Sequence, residues 1–179
     1  MSTPAIIQSI YDSSVAEWMR QSLKAMPFVE ATHVLAIAVV FGTILIVDLR
    51  LLGVPNTRRS FRAVSNEMLR MTWGAFAVAV VTGALLFAPN AITYFGNTAF
   101  RIKMLALLLA GANMLVFQFI TVRTVADWDQ DKRAPTAARA AAMLSILLWI
   151  SVIFLGRWIG FTKGYDFAIP EEVQFDFPQ

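Results

Sequence analysis

Four runs of mostly apolar residues, 27–52, 68–88, 102–122 and 141–161, constrain this chain more than anything else in it. A helix rises about 1.5 Å per residue, so about 20 such residues cross a hydrocarbon layer about 30 Å thick. Each run meets that length. Pro27 suits the first turn of a helix, and Pro55, Pro89 and Pro135 fall between runs, where no helix has to continue. Composition agrees, with 58% hydrophobic residues, 15% charged residues and a mean hydropathy of +0.62. The expected fold is therefore an all-α integral membrane protein, a four-transmembrane-helix bundle whose first partner is the lipid bilayer.

Lys and Arg placement sets the expected orientation. Arg50, Arg58, Arg59, Arg62 and Arg70 surround the first connection, and Arg123, Lys132, Arg133 and Arg139 the third. Fewer, namely Arg20, Lys24, Arg101, Lys103, Arg157 and Lys163, lie on the opposite side. The bias places the two Arg-rich connections in the cytoplasm and both termini outside, as in a multi-pass bacterial inner-membrane protein facing the periplasm. No basic segment leads into a short apolar core at the amino terminus, so insertion is expected to rest on the first span. The pI of 9.6 does not indicate nucleic acid, because the basic residues sit beside apolar runs instead of forming a stripe.

The spans divide the chain into residues 1–26, 27–163 and 164–179. In the first part Ser14 and Glu17 have capping-box spacing, and Val15, Trp18, Met19, Ser22, Leu23 and Met26 share one helical face. An amphipathic helix lying in the membrane interface is expected, with Trp18 at headgroup depth. The last part is a short acidic tail carrying Asp166, Glu171, Glu172 and Asp176, in which Val173, Phe175 and Phe177 alternate with polar residues. That alternation suits pairing with a partner strand, whereas a solvated tail needs no partner. Residues 127–131 open like a calcium loop, but Lys132 and Ala138 stand where Gly and Glu are required.

The chain has no cysteine and one histidine, which excludes disulfides, iron–sulfur clusters, thiolate zinc sites and haem held by two histidines of one chain. Attention then falls on charges at membrane depth, each of which costs at least about 2.5 kcal/mol there. His33 and Arg157 lie roughly 10 Å from the midpoints of their spans toward the outer side, counted at 1.5 Å per residue. Glu30 and Lys103 lie slightly further out. Glu30 and His33, three residues apart, share a helix face, and a carboxylate beside an imidazole fixes its tautomer for metal binding or proton relay. A purely structural arrangement is the alternative, with Glu30 ion-paired to Arg157 or Lys103. Met19, Met26 and His33 recur every seven residues, a soft donor pattern suited to Cu(I), and Met104 is a further thioether able to approach His33 across helices.

At the cytoplasmic ends, Asp48, Arg50, Arg70 and Arg123 are expected to snorkel and pair, Asp48 with Arg70. Asn113 and Gln118 read as interhelical hydrogen-bond partners, and Gly42, Gly74, Gly83, Gly111 and Gly156 as points of close helix approach.

His33-Val-Leu-Ala with Gly42, residues 103–110 with Asn113, and the segment from Met71-Thr72-Trp73 through Thr82-Gly83 resemble the CopD-like copper-resistance membrane domain and the HemJ-like protoporphyrinogen oxidases. The resemblance covers roughly residues 28–160. It implies a bundle whose inward-facing His33 binds haem b or copper, with Lys103 nearby. The chain departs from the HemJ-like pattern in lacking a histidine after the first span, which argues against oxidase activity. Together these readings predict an accessory protein with an outer-side pocket around His33, Glu30, Lys103, Arg157 and Met104 for haem, copper or a small anionic ligand, rather than an enzyme. A metal would use His33 and Met104. The competing expectation is a structural subunit or anchor for a membrane or periplasmic protein partner, or a homo-oligomer, with no chemistry of its own.

Overall fold

A computed structural model of the chain describes residues 3–54, 61–117 and 134–162. The described residues are helical throughout, without a strand. Four helices have the length and apolar character to cross a membrane. In chain order the helices are α1 (Ala5–Tyr11), α2 (Ser14–Gln21), α3 (Ala25–Leu52), α4 (Phe61–Phe87), α5 (Ala91–Gly96), α6 (Thr98–Val116) and α7 (Thr136–Thr162). A 3-10 turn, Ala88–Asn90, joins α4 to α5. The protein is thus an all-α, multi-pass membrane bundle. The acidic tail, the calcium-loop-like run, Gln118, Arg123, Lys132, Arg133 and Lys163 lie outside the described residues.

Local chemistry sets the helix ends. Gly53 adopts φ +85°, a left-handed conformation that only glycine takes without strain, and its N–H donates to Arg50 O at 3.2 Å. Val54 N–H donates to Leu49 O at 2.9 Å, so the last carbonyls of α3 are satisfied before the chain turns away. Asn97 caps α6 by accepting from Phe100 N–H at 3.1 Å. Pro27 falls in the first turn of α3, where its missing N–H breaks no helical bond. The α4 helix stops at Phe87, one residue short of the expected end of the second span, and the 3-10 turn that follows it carries Pro89.

Residues 3–26 do not form one continuous helix. The chain breaks after Tyr11 and again after Gln21. The cap of α2 is Ser13, not Ser14: its Oγ accepts from Ala16 N–H at 3.3 Å, while Glu17 pairs with Arg20 at 2.6 Å. Met19 and Ala16 are fully buried, because α2 packs against the 3-10 turn and the end of α4 instead of floating on lipid. Trp18 and Leu23 remain exposed. The break between α2 and α3 also means that Met19, Met26 and His33 do not line one continuous helix face.

Within the bundle α3 packs against both α4 and α7, and α7 against α6. Val40, Ala110 and Trp149 form the middle of the core, with Ala75 of α4 packed on it. Leu51, Phe61, Ala138 and Ala142 form a second cluster at the end away from α1 and α2. Large apolar side chains such as Leu35, Leu108 and Leu147 point outward, the inverse of a soluble protein and the pattern lipid requires.

With a hydrophobic effect absent between helices in lipid, polar contacts and small residues hold the pairs in register. Thr43 Oγ1 and Thr72 Oγ1 are 2.7 Å apart and link α3 to α4. His33 Nδ1 and Thr82 Oγ1, 2.9 Å apart, link the same two helices again. His33 precedes Thr43 by ten residues and Thr82 follows Thr72 by ten, as an antiparallel pair demands. The two bridges stand about 15 Å apart along the helices. Asn113 Nδ2 donates to Ala141 O at 3.0 Å and ties α6 to α7 in the interhelical role its sequence position predicts.

Candidate functional site

The first candidate site lies at the end of the bundle that carries α1 and α2. His33 reaches from α3 onto α4, where Gly83 leaves room for it: a Cβ at Gly83 would come within 3.1 Å of the His33 Cε1. Lys103 reaches from α6 onto α7, where a Cβ at Gly156 would meet its Nζ at 3.4 Å. Two of the glycines expected to permit close approach therefore do so for side chains of the site. Gly42, Gly74 and Gly111 meet nothing within 4 Å, so the expectation fails for them.

Hydrogen bonding assigns the His33 tautomer. Thr82 Oγ1 donates its proton to Val78 O at 2.7 Å, which leaves the hydroxyl oxygen to accept from His33 Nδ1–H. The Ala79 backbone also hydrogen-bonds the ring. The proton is then on Nδ1, and Nε2 keeps a lone pair for a ligand. A threonine and a backbone carbonyl fill the orienting role expected of Glu30.

Lys103 is half-buried, and none of the described residues gives its ammonium an ion pair or hydrogen bond. Its charge acts directly on the imidazole of His33. The site is thus cationic on one side and a free lone pair on the other. One turn nearer the end of the bundle, Phe87, Tyr94 and Phe100 stack with centroids 5.2 to 6.2 Å apart. Phe87 follows Gly83 by four residues and Phe100 precedes Lys103 by three, so the rings share helix faces with the site.

The other expected members stand apart. Glu30 is exposed, and its carboxylate acts on the Tyr94 phenol; it pairs with neither Arg157 nor Lys103. Arg157 is exposed with its guanidinium 5.0 Å from the Phe161 ring centre. Met104 is half-buried, and as successive helical residues point about 100° apart it does not share the Lys103 direction. Among the described residues no group of three or more His, Cys, Asp and Glu side chains could hold a metal ion.

At the opposite end the structure departs from the expected surface pairing of Asp48. Asp48 does not pair with Arg70, which is exposed; it is buried, with a hydrogen bond to Ser145, and its Oδ2 has no partner. It lines a cavity of about 110 Å³ together with Ser65, Asn66, Thr72, Asn113 and Ser145. The flanking Arg50 and the position near a helix end made Asp48 look like a surface charge. The signal that could have found it is the recurrence of small polar residues, Thr72, Asn113 and Ser145, at matching depth in the other three spans.

Fold and site together define a four-span membrane protein with a His–Lys layer at one end of its bundle and a buried acid at the other. The chain belongs to the family of unknown function DUF6644, whose model matches residues 21–162. No curated protein and no solved structure matches it.

Proposed function

We propose that this is a membrane binding protein, not an enzyme, in which His33 and Lys103 together take a small oxyanion. The observation that carries this reading is the Lys103 ammonium, half-buried and without a counter-charge among the described residues, at the same end of the bundle as an imidazole whose Nε2 is unprotonated. An unpaired cation there is costly, and an anion is the ligand that relieves it. An oxyanion arriving with its proton transfers it to Nε2 and then lies between imidazolium and ammonium, with Thr82 still holding Nδ1–H. The resemblance to CopD-like and HemJ-like domains supports a common site for His33 and Lys103. Copper or haem b at Nε2 fits less well, because the Lys103 charge opposes a cation. We place the chain in a bacterial inner membrane with the His33 end outward, on the Lys and Arg bias.

Calorimetric titration of the full chain in detergent with phosphate, bicarbonate and acetate tests this. At least one should bind, and His33→Ala or Lys103→Met should weaken it about tenfold or more, the loss expected for one charge-assisted hydrogen bond of about 1.5–3 kcal/mol. An absorption spectrum and metal analysis provide the contrary outcome. A Soret band or one copper per chain, lost in His33→Ala, would overturn the anion reading. A colourless, metal-free chain that binds none of the anions and co-purifies with a partner protein would favour an anchor instead.

A further inference from the structure

We propose that the cavity at Asp48 is a binding site for one monovalent inorganic cation, with sodium the ion that fits it. Asp48 is 7% exposed, and its Oδ2 is buried without a hydrogen-bond partner. Since Ser145 bonds this carboxylate and Oδ2 is unpartnered, the Ser145 hydroxyl is on Oδ1, and Oδ2 is left for whatever occupies the cavity. None of the described residues lining the cavity is basic. Among the described residues the carboxylate therefore has no counter-ion on the cavity wall, although an intramembrane carboxylate calls for one.

The remaining wall supplies oxygen. Asn113 spends its Nδ2 on the Ala141 carbonyl, which turns its Oδ1 into the free end of the amide. The Thr72 hydroxyl is held by Met68 O and Thr43, leaving an oxygen lone pair. Ser145, Ser65 and Asn66 add further oxygens, from α7 and α4. Carboxylate, amide and hydroxyl oxygens are the ligands of hard cations, and with no imidazole on the wall and the Met114 thioether as its one sulfur the donor set suits neither copper nor zinc. One carboxylate balances one positive charge, whereas a divalent ion would leave a net charge in a low-dielectric site. The volume of about 110 Å³ leaves room for a small ion with several waters. Asn66 is exposed as well as lining the cavity, so the site has a polar mouth on that side.

Sodium-22 binding to the full chain in lipid nanodiscs, in choline chloride buffer, tests the assignment. The chain should bind about one sodium per molecule. Unlabelled sodium should displace it and methylammonium should not. Asp48→Asn should lower affinity about tenfold or more, and Ser145→Ala, which keeps the carboxylate, about threefold to tenfold. Ser151→Ala, on the exposed face of the same helix, should bind as the unaltered chain does. If Asp48→Asn fails to fold, Ser145→Ala decides. No sodium bound above the choline background would overturn the proposal and leave Asp48 as a protonated acid. Unchanged affinity in both variants would also overturn it, and displacement by methylammonium would replace the inorganic ion by an organic amine.

Discussion

The two ends of the bundle solve the problem of burying polar groups in opposite ways. At the His33 end, glycine lets side chains lie directly on neighbouring helices: the imidazole fills the space above Gly83, and the Lys103 amine lies over Gly156. At the Asp48 end, serine, threonine and asparagine help to line a space that none of the described side chains fills. The first end carries an ammonium with no counter-charge among the described residues, and the second a carboxylate. Tightness and openness thus follow from which small residues stand opposite the ionisable one, glycine in one case and hydroxyl or amide residues in the other.

The sharpest way to break this contrast is to enlarge a small residue at each end. Gly83→Leu should displace the His33 ring from Thr82 and cost about 1–3 kcal/mol of stability in detergent unfolding, the usual penalty for overpacking. Ala141→Val, which points a larger group at the Asp48 cavity, should cost less than about 1 kcal/mol because the space is already there. Equal costs would mean that the two ends are packed alike. A smaller effect is expected from the threonine bridge between the ends. A double-mutant cycle of Thr43→Val and Thr72→Val should give a coupling of about 0.6 kcal/mol, typical of interhelical hydrogen bonds in membranes. The smallest concerns Glu17, outside the spans, where the hydrogen bond from Arg20 holds the carboxyl below its ordinary value of 4.5. A depressed pKa in the folded state contributes stability that is present above that value and lost as the pH falls below it. The pair is exposed, so the acid-side loss should be slight, absent in Glu17→Gln and erased by salt.

How much of this was legible in the sequence depended on what kind of signal each feature left. Twenty-residue apolar runs are long, and α3, α4, α6 and α7 fall where those runs predict them, with ends shifted by a few residues. The N-terminal segment was harder, since the periodicity that puts Met19 and Trp18 on one face does not say whether protein or lipid covers it. Burial of Met19 against the α4 end is a tertiary fact. His33 and Lys103 were legible because a lone imidazole and a lone ammonium at depth stand out in an apolar run. Their orienting groups were not, for Thr82 and Gly83 look like ordinary residues of a membrane helix. Depth counting grouped Glu30 and Arg157 with them, but depth ignores rotation about the helix axis, and rotation turns both outward. Asp48 was misjudged for the converse reason: its nearness to a helix end suggested water, and rotation turns it inward.

The paired bridges between α3 and α4 have a mechanical consequence. Two pins about 15 Å apart on one helix pair remove both its freedoms, sliding and rolling, because any shift of one turn breaks both at once. The α3–α4 hairpin therefore behaves as a single stiff lever. His33 and Asp48 sit toward its two ends, while Lys103 and Ser145 belong to the α6–α7 pair that faces it. A rocking of one pair against the other would widen the gap between the pairs at one end as it narrowed the gap at the other.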